Sequence, residues 1–380
     1  MIKNRKIRFA IVGCGRISKN HFLALDAHQE QAEFVAVCDN DPVKLKAAQE
    51  KTGKPGYPSL EELLKKSNPD VVTLATPSGY HANQAIQVAR AGKHVLTEKP
   101  MATSWEDGLT MLNECEKAGV HLFVVLQNRL NETLELLKRA IDSNRFGKIY
   151  MVNVNVFWAR PQSYYDQSSW RGTHELDGGA FMNQAIHYVD LLTWLMGPIE
   201  SVQAYRSTLA RKIEAEDTGV MSIRWKSGAL GSVNVTMLTH KKNFEGSITV
   251  LGEKGTVRVG GIAVNEIEQW EFETPHEDDI KVTSARYQTS SVYGFGHPKF
   301  YENVIKVMKG ISHPKIDGRE GLKSLETIIA YQIAADTGIA MKLPLEEGLN
   351  SLEKLLTNQR SANTDKDLKI PKEIDPLNRT

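Results

Sequence analysis

The stretch IRFAIVGCGRIS, Ile7 to Ser18, decides the fold of this 380-residue chain. A short and almost wholly apolar strand runs directly into a glycine turn, after which the pattern predicts a helix. Gly13 permits the tight turn, and Gly15 lets a pyrophosphate approach the backbone, where the helix N-terminus faces its negative charge. Ser18 stands where this fingerprint has glycine or alanine, and it is small enough for close packing. The stretch predicts the first βα unit of a dinucleotide-binding domain.

A carboxylate follows the second predicted strand, Glu33 to Cys38, at about the distance where the fingerprint places a partner for the adenosine ribose. Asp39 would accept hydrogen bonds from the ribose diol and repel a 2'-phosphate, and no arginine follows it immediately. The sequence therefore predicts NAD rather than NADP. Asp39 also begins Asp39-Asn40-Asp41-Pro42, which suits a loop, so Asp39 can also be a turn residue, and the two roles are compatible.

Further short apolar runs alternate with helical segments up to residue 126. This alternation predicts a doubly wound parallel α/β sheet over residues 1–126, and ligands of such sheets gather beyond the carboxyl ends of the strands. Those ends carry Thr76-Pro77 and Glu98-Lys99-Pro100, which places a lysine at the predicted cofactor crevice. The alternative for Lys99 is a solvated loop charge. The predicted strands are Val71–Ala75, His94–Thr97 and His121–Leu126, and the predicted helices are Ser59–Lys66 and His81–Ala91.

Residues 127–345 are predicted to form a C-terminal α+β domain for substrate binding and oligomerisation, with an open, mostly antiparallel sheet. Apolar residues alternate with polar ones from Lys148 to Trp158, and six more strands are predicted between Ser201 and Glu273. Tight links between these strands favour antiparallel pairing with one covered face. Helices are predicted at Asn131–Asn144, His297–Lys309 and Arg319–Met341. The charged segment 346–380 is predicted to be an arm or a disordered tail.

The stretch from Asp177 to Gly197 is predicted as one amphipathic helix with a titratable stripe. Steps of four and three residues place Asn183, His187 and Asp190 on one face of that helix. A histidine in this position can exchange protons near neutral pH. The alternative is that His187 is a core histidine whose hydrogen bonds are satisfied by Asp190.

A segment rich in arginine and aromatic residues, 160–174, lies between the strand that ends at Trp158 and this helix. Aromatic faces can stack on a base, and arginines can hold phosphate or carboxylate. The segment is therefore predicted to bind substrate, although a packed surface loop with arginine over tryptophan has the same composition. The candidate residues of this segment are Arg160, Gln162, Tyr164, Tyr165, Trp170 and Arg171.

The composition excludes several functional classes. Forty-seven basic and forty-six acidic residues give a net charge of +1, which favours neither nucleic acid nor an anionic membrane surface as a partner. No apolar run approaches the length that a bilayer requires. The three cysteines, Cys14, Cys38 and Cys115, fit neither a disulfide framework nor a metal-ligand spacing. A cytoplasmic protein without a metal site is predicted.

Taken together, Gly13-Cys14-Gly15, Thr76-Pro77, Glu98-Lys99-Pro100 and the glycine pair before His187 resemble the glucose-fructose oxidoreductase and inositol 2-dehydrogenase family, over roughly Ile7 to Ala340. The resemblance implies a Rossmann-type domain with Lys99 and His187 at the nicotinamide. Many members have aspartate where this chain has Asn183, so Asp190 is expected to take over that part of the proton relay. The implied cofactor site comprises Gly13, Gly15, Arg16, Ile17, Asp39, Thr76, Pro77, His81, Glu98, Lys99, Gln127, Trp170 and Arg171.

A narrower resemblance rests on Phe157-Trp158, Trp170-Arg171, Asn183-Gln184-Ala185-Ile186-His187 and Leu251-Gly252-Glu253-Lys254-Gly255-Thr256. These stretches are similar to bacterial UDP-N-acetylglucosaminuronate 3-dehydrogenases of surface-polysaccharide and O-antigen biosynthesis. The resemblance implies a UDP-sugar acid substrate, a homotetramer, and 2-oxoglutarate as a candidate acceptor of hydride from retained NADH. Two alternatives stay open: a dehydrogenase of a free sugar or inositol, and a non-catalytic dinucleotide-binding regulator. The presence of both Lys99 and His187 counts against the regulator.

Overall fold

The computed structural model describes residues 1–289, 292 and 294–364, with side chains described as far as Lys354. Its N-terminal half contains a parallel sheet of six strands. In chain order these strands are β1 (Ile7–Val12), β2 (Ala32–Cys38), β3 (Gly56–Tyr57), β4 (Val71–Leu74), β5 (His94–Thr97) and β6 (Leu122–Val124). Their spatial order is β3-β2-β1-β4-β5-β6, so the direction of winding changes between β1 and β4. Dinucleotides bind at this switch point in doubly wound sheets.

Helices cover both faces of this sheet, so β1, β4 and β5 are almost wholly buried. The helices are α1 (Ser18–Asp26), α2 (Pro42–Thr52), α3 (Leu60–Ser67), α4 (His81–Arg90) and α5 (Trp105–Lys117). Side-chain caps begin three of them: Asp41 accepts hydrogen bonds at α2, Ser59 at α3 and Ser104 at α5. Each cap satisfies backbone N–H groups that have no partner within the helix.

The C-terminal half contains a mixed sheet of eight strands in the order β13-β12-β11-β7-β10-β9-β8-β14. The strands are β7 (Ile149–Phe157), β8 (Ile199–Ser207), β9 (Thr218–Trp225), β10 (Leu230–Thr236), β11 (Glu245–Gly252), β12 (Gly255–Gly260), β13 (Glu266–Phe272) and β14 (Met341–Lys342). Neighbours pair antiparallel except β7 and β10. Burial alternates along β7 and β9, so one face is covered. The predicted fold class is confirmed.

The remaining helices are α6 (Glu132–Asp142), α7 (Gln162–Tyr165), α8 (Ile186–Met196), α9 (Gly296–Met308), α10 (Gly318–Thr337) and α11 (Leu345–Thr364). α9 packs on α1, and α10 packs on α5 as well as on β8, so the C-terminal chain returns to the first sheet. The segment that was predicted as an arm or tail begins as α11, and residues 365–380 lie outside the described residues. Within the described part of the chain, no helix is both long and apolar enough to cross a membrane.

The prediction of one continuous helix from Asp177 to Gly197 is wrong. A π-helical turn, Ala180–Gln184, precedes α8, and Ala185 separates the two segments. Gly178 and Gly179 have φ angles of +85° and +99°, which are incompatible with a right-handed helix. The π turn also changes the angular spacing between residues before and after Ala185, so helical periodicity does not place them on a common face.

Candidate active site

A cavity of about 930 Å³ opens at the carboxyl ends of the first sheet and is walled on its far side by the C-terminal half. Its size is that of a small-molecule or cofactor site. Most of the residues that the sequence predicts for cofactor or substrate meet here. They are Gly13, Gly15, Arg16, Ile17, Asp39, Thr76, Pro77, Glu98, Lys99, Arg160, Tyr164, Trp170, Arg171, Asn183 and His187.

The glycine turn lies at one end of this cavity. Gly13 has a φ of +96°, and a Cβ atom there would lie 2.5 Å from the carbonyl oxygen of Ala75. A Cβ at Gly15 would meet no atom within 4 Å, so this backbone is open to a ligand. The carboxylate of Asp39 accepts hydrogen bonds from the N–H groups of Cys14 (2.7 Å) and Asp41 (2.8 Å). Asp39 therefore shapes the turn and also lines the cavity, as both sequence interpretations required.

Lys99 lies just beyond the end of β5 and lines the cavity. Its ammonium group donates a hydrogen bond of 2.8 Å to the backbone carbonyl of Asn183. Burial lowers the pKa of Lys99, and the negative charge of Glu98 opposes this shift. The structure thus places the lysine in the crevice rather than on a solvated loop.

His187 occupies the first turn of α8 and is 6% exposed. Among the described residues, neither of its ring nitrogens has a hydrogen-bond partner. Burial, and then the charge of Lys99, lowers the pKa of His187 to about 3. The imidazole is therefore neutral near pH 7. Buried polar groups are normally paired, so the two free nitrogens point to a ligand that is bound here.

Asp190 does not share the environment of His187, in contrast to the predicted stripe. Its carboxylate accepts hydrogen bonds from Arg129 Nε (2.8 Å) and Nη2 (2.6 Å) and from the hydroxyl of Ser324 (2.7 Å). Asp190 is fully buried and does not line the cavity. The side chain of Asp190 thus faces Arg129 and Ser324 of α10. The expectation that Asp190 relays protons for His187, or satisfies it, is thus not matched by the contacts.

Asp177 is a site residue that the sequence analysis passed over. Its carboxylate accepts a hydrogen bond from the side-chain amide of Asn183 and one of 2.8 Å from the N–H of Gly172. Burial raises the pKa of Asp177 to about 6, and the charges of Lys99 and Arg171 oppose the shift. Asn183 is consequently held at both ends, by Asp177 through its side chain and by Lys99 through its carbonyl. An acidic residue directly before the glycine pair was the available signal.

Three arginines that line the cavity lie around the ring of Tyr164. The guanidinium carbons of Arg16, Arg160 and Arg171 lie 5.7, 5.4 and 4.1 Å from the ring centroid. Arg171 also lies 5.6 Å from the ring centroid of Trp170. Like charges gathered in this way raise the local potential, and they suit phosphate or carboxylate groups.

Side-chain hydrogen bonds connect this arginine group to Asn183. Arg160 Nε donates to Gln184 Oε1 (3.0 Å), and the Gln184 amide donates to Asn183 Oδ1 (2.8 Å). Gln184 also lies 3.3 Å from the hydroxyl of Tyr164. Gln184 was absent from the predicted site, although it is adjacent to Asn183 in sequence. The contacts extend the site from the arginines to the region of His187.

Two residues predicted to bind the cofactor lie behind the cavity wall instead. The ring nitrogens of His81 are 2.8 Å from the carbonyl oxygen of Pro100 and 2.9 Å from that of Thr76, so His81 ties two cavity loops together. Gln127 is 1% exposed and does not line the cavity. Both predictions are corrected by burial: neither side chain lines the cavity.

Two residues predicted to bind substrate also lie outside the cavity lining. Gln162 exchanges hydrogen bonds with the backbone of Lys212 and donates to Asp166 (2.9 Å). Tyr165 is buried with its ring edge-on to that of Tyr164, at a centroid distance of 5.1 Å. These contacts hold the arginine-rich segment against its neighbours, and Tyr164 alone of the two tyrosines faces the cavity.

Glu98 joins the cavity to a buried polar cluster that the sequence analysis did not foresee. His21 on α1 and His297 on α9 both approach its carboxylate, and the ligand atoms of the three side chains lie within 4.8 Å of one another. Hydrogen bonds between these atoms already account for their positions. The cluster was missed because 199 residues separate His297 from Glu98.

The donor set fits a dinucleotide at this cavity: an open glycine backbone at Gly15, a carboxylate at Asp39, and Lys99 with unpartnered His187 at the far end. Residues 7–126 match a family described as an oxidoreductase family with an NAD-binding Rossmann fold. Residues 138–345 match the C-terminal alpha/beta domain of the same family.

Two solved structures are similar over nearly the whole chain. The WlbA dehydrogenase of Bordetella pertussis, in complex with NADH and UDP-GlcNAcA, is 60% identical with a TM-score of 0.89, covering 91% of this chain and all of that one. The WlbA dehydrogenase of Chromobacterium violaceum, in complex with the same two molecules, is 62% identical with a TM-score of 0.87, covering 90% of this chain and 98% of that one. The myo-inositol 2-dehydrogenase of Thermotoga maritima is 28% identical, covering 84% of this chain and 93% of that protein.

Proposed function

Because the chain belongs to the GFO/IDH/MocA oxidoreductase family, we propose that it is an NAD-dependent dehydrogenase of UDP-N-acetylglucosaminuronic acid. The 3-hydroxyl of the sugar becomes a ketone, one hydrogen leaving the carbon as hydride to NAD and the hydroxyl proton passing to the protein. The observation that carries this proposal is the pair of unpartnered nitrogens of buried His187, beside Lys99 in the cavity.

His187 is the general base of the proposed reaction. Since its pKa is lowered to about 3, the imidazole is neutral at pH 7 and has a free lone pair for the hydroxyl proton. Lys99 donates a hydrogen bond to the same oxygen and stabilises the negative charge that develops there. When bound, NAD supplies the hydride acceptor. Asn183 orients Lys99 through its carbonyl.

The arginine group around Tyr164 suits the acidic part of the substrate. A UDP-sugar acid carries two phosphates and a carboxylate, and arginine binds each of these in a bidentate manner. Arg160 and Arg171 both line the cavity. Tyr164 and Trp170 supply flat aromatic faces on which the base can stack. A free sugar or inositol, the alternative substrate, presents no group that needs three arginines.

Reduction of NAD with a panel of substrates tests the proposal. The absorbance of NADH should rise fastest, as a second-order rate constant, with UDP-N-acetylglucosaminuronate, and more slowly with UDP-N-acetylglucosamine or inositol. Fastest oxidation of inositol or of a free sugar would overturn the nucleotide-sugar assignment. Cofactor binding without any reduction would favour the non-catalytic regulator.

Arginine variants refine the same test. Arg160→Lys and Arg171→Lys keep the charge but lose the bidentate geometry, so each should raise the Michaelis constant for the uronate at least about tenfold with little change for NAD. Arg90→Lys is the matched control, because Arg90 pairs with Glu114 on the surface. Unchanged constants in both cavity variants would contradict the substrate assignment while leaving the dehydrogenase proposal intact.

The proposal extends to the setting of the reaction. We place it in the cytoplasm, in the synthesis of surface polysaccharide such as the O-antigen of lipopolysaccharide, with a homotetramer as the working form. We also propose that 2-oxoglutarate reoxidises retained NADH and leaves as 2-hydroxyglutarate. One 2-hydroxyglutarate should then form for each ketone. Release of free NADH in place of 2-hydroxyglutarate would contradict this recycling.

A further inference from the structure

A buried acid that the proposed mechanism does not use lies directly before Lys99. Glu98 Oε1 is 3.1 Å from His21 Nε2 and 3.3 Å from His297 Nε2. Its other oxygen accepts a hydrogen bond of 3.2 Å from the backbone N–H of Lys99. Glu98, His21 and His297 are each no more than 5% exposed. Three donors thus converge on a single buried carboxylate.

The hydrogen-bond pattern assigns the charges within this cluster. The hydroxyl of Tyr301 is 3.0 Å from His21 Nδ1 and 3.0 Å from Thr73 Oγ1. If Thr73 donates to Tyr301 and Tyr301 donates to Nδ1, a neutral His21 carries its proton on Nε2, facing Glu98. Burial lowers the pKa of His21, which keeps the ring neutral.

Glu98 is therefore the charged member of the cluster. Burial by itself would raise the pKa of Glu98, but the hydrogen bonds from His21 and His297 outweigh it and hold this pKa well below its ordinary value. A carboxylate that accepts two or three N–H bonds is stable as an anion even inside a protein. A fixed negative charge results at the end of β5.

This charge acts at the reacting end of the cavity. Glu98 lines the cavity, and its charge raises the pKa of both Lys99 and His187 against the effect of burial. Hydride transfer requires the nicotinamide to lie in contact with the carbon whose hydroxyl meets His187. The nicotinamide ring is cationic in NAD⁺ and neutral in NADH. A nearby anion stabilises the oxidised form, and a nearby cation does the opposite.

We propose that Glu98, fixed by His21 and His297, sets the relative affinity of this protein for oxidised and reduced nicotinamide. The proposal rests on the proposed function in one respect, that Lys99 and His187 mark the nicotinamide end. Lys99 carries the opposing charge, so the Glu98–Lys99 pair sets the balance. His21 and His297 are positioning residues, which hold the anion in place from α1 and from α9.

Equilibrium binding of the two cofactor forms tests this idea without any substrate. Any retained cofactor is first removed, and NAD⁺ and NADH are then titrated separately into the full-length protein by calorimetry. Glu98→Gln removes the charge but keeps the shape, and a neighbouring charge alters such equilibria by about tenfold or more. We expect Glu98→Gln to weaken the binding of NAD⁺ at least about tenfold more than the binding of NADH. This change raises the reduction potential of the bound NAD⁺/NADH couple by ~30 mV. Glu98→Asp, which keeps the charge, should leave the ratio near that of the unmodified protein.

Two further variants separate charge from fold. Asp39→Asn alters the site at the adenosine end of the cofactor, and this end is identical in NAD⁺ and NADH. The variant should therefore weaken the binding of both forms equally. Lys99→Met removes the opposing charge and should shift the ratio towards NAD⁺. If Glu98→Gln fails to fold, the ratio of NAD⁺ to NADH affinity in Lys99→Met tests the proposal in its place.

The proposal would be overturned if the ratio of NAD⁺ to NADH affinity did not change in Glu98→Gln, or if it changed as much in Glu98→Asp. If Glu98→Gln is not folded, an unchanged affinity ratio in Lys99→Met would overturn the proposal. The substrate panel described above is an independent measurement. If the uronate is not oxidised while the ratio shifts as expected, the substrate assignment fails and the role of Glu98 stands.

Discussion

His187 and Asp190 lie three residues apart on α8 and meet different surroundings. The ring nitrogens of His187 have no partner among the described residues, whereas Asp190 is bound by Arg129 and Ser324. We expect His187→Asn to lower kcat by about 10²- to 10⁴-fold, the usual size of general-base catalysis. NAD affinity and the melting temperature should change little, because the replaced nitrogens bond to no described group.

Asp190→Asn is the informative contrast for that experiment. It removes one of the two carboxylates that pair with the buried guanidinium of Arg129, while Glu320 keeps its contact at 2.7 Å. The loss of charged hydrogen bonds in this buried place should destabilise the protein by about 1–3 kcal/mol. The free energy of unfolding in urea measures this loss. If His187→Asn unfolds as readily as Asp190→Asn, His187 is a core residue and the general-base assignment is wrong.

Asp177 shows how a site residue can oppose stability. Its pKa is raised from 3.8 to about 6, so its contribution to stability is full below pH 3.8 and is lost as the pH rises through about 6. Asp177→Asn removes this ionisation and keeps the shape. We expect the free energy of unfolding at pH 7.5 to rise by roughly 1–2 kcal/mol, less than the pKa shift alone implies because hydrogen bonds to the carboxylate are lost.

Urea unfolding at pH 5 and pH 7.5 measures the effect of Asp177→Asn. Burial raises the pKa of Glu216 to about 7, and the charge of Asp177 adds to this shift. The difference between the two proteins therefore reports Asp177 together with its effect on Glu216. Turnover should fall in the variant at pH 7.5, because at that pH Asn183 loses its charged acceptor. A variant that is less stable than the unmodified protein at pH 7.5 would contradict the assigned direction of the pKa shift.

At the scale of elements, the π-helical turn Ala180–Gln184 decides where Asn183 and His187 point. Glu216 anchors the start of this turn, since its carboxylate accepts the N–H of Phe181 at 3.0 Å and its carbonyl accepts the N–H of Ala180 at 3.0 Å. A Cβ added to Gly179 would lie 2.3 Å from Glu216 Oε2. The glycine is therefore required both for its positive φ and for the space beside it.

Gly179→Ala should displace Glu216 and shift the turn. We expect a loss of at least about 2 kcal/mol in the free energy of unfolding, from strain at positive φ and from steric overlap, and a fall in kcat of at least about tenfold. Gly197→Ala is the matched control: Gly197 has a φ of +76°, but no atom lies within 4 Å of the added Cβ. It should lose about 1 kcal/mol of stability and no activity. Equal effects of the two changes would refute the role of Glu216.

At the scale of the whole molecule, the uncovered face of the eight-stranded sheet supports assembly. Met151, Tyr205, Val220 and Leu230 are 41–71% exposed on that face. Strand pairing places Met151 beside Leu230 and Tyr205 beside Val220. Apolar residues grouped on an exposed face are typical of protein interfaces. The face therefore supports the proposal of a homotetramer.

Charges on this face should weaken the assembly. Val220→Glu together with Leu230→Glu should lower the mass measured by light scattering from that of a tetramer to that of a dimer or monomer. Val43→Glu is the control, because Val43 is 76% exposed on α2, outside the sheet, and the mass should not change. A persistent tetramer in the double variant would assign the contacts to another surface, and a monomeric unmodified protein would end the tetramer proposal.

The sequence by itself determined the fold class and the cofactor end of the site. The strand, the glycine turn and the helix from Ile7 to Ser18 are contiguous, and their geometry depends on local backbone preferences. Parallel strands that are buried on both faces are nearly continuous apolar runs. Most strands of the first sheet could therefore be predicted from the sequence. Motifs at the strand ends, such as Glu98-Lys99-Pro100, then fall at the crevice because the topology of the sheet places them there.

Only the tertiary structure decided which partner each polar side chain of the site has. Periodicity showed that Asn183, His187 and Asp190 could share a face, but it could not show the π turn or that Arg129, 61 residues away, binds Asp190. The same limit hid Asp177 as the partner of Asn183. It also hid His297, which reaches Glu98 across 199 residues. Such contacts join distant parts of the chain, and their pairing depends on how the two sheets and the returning helices pack rather than on any local pattern.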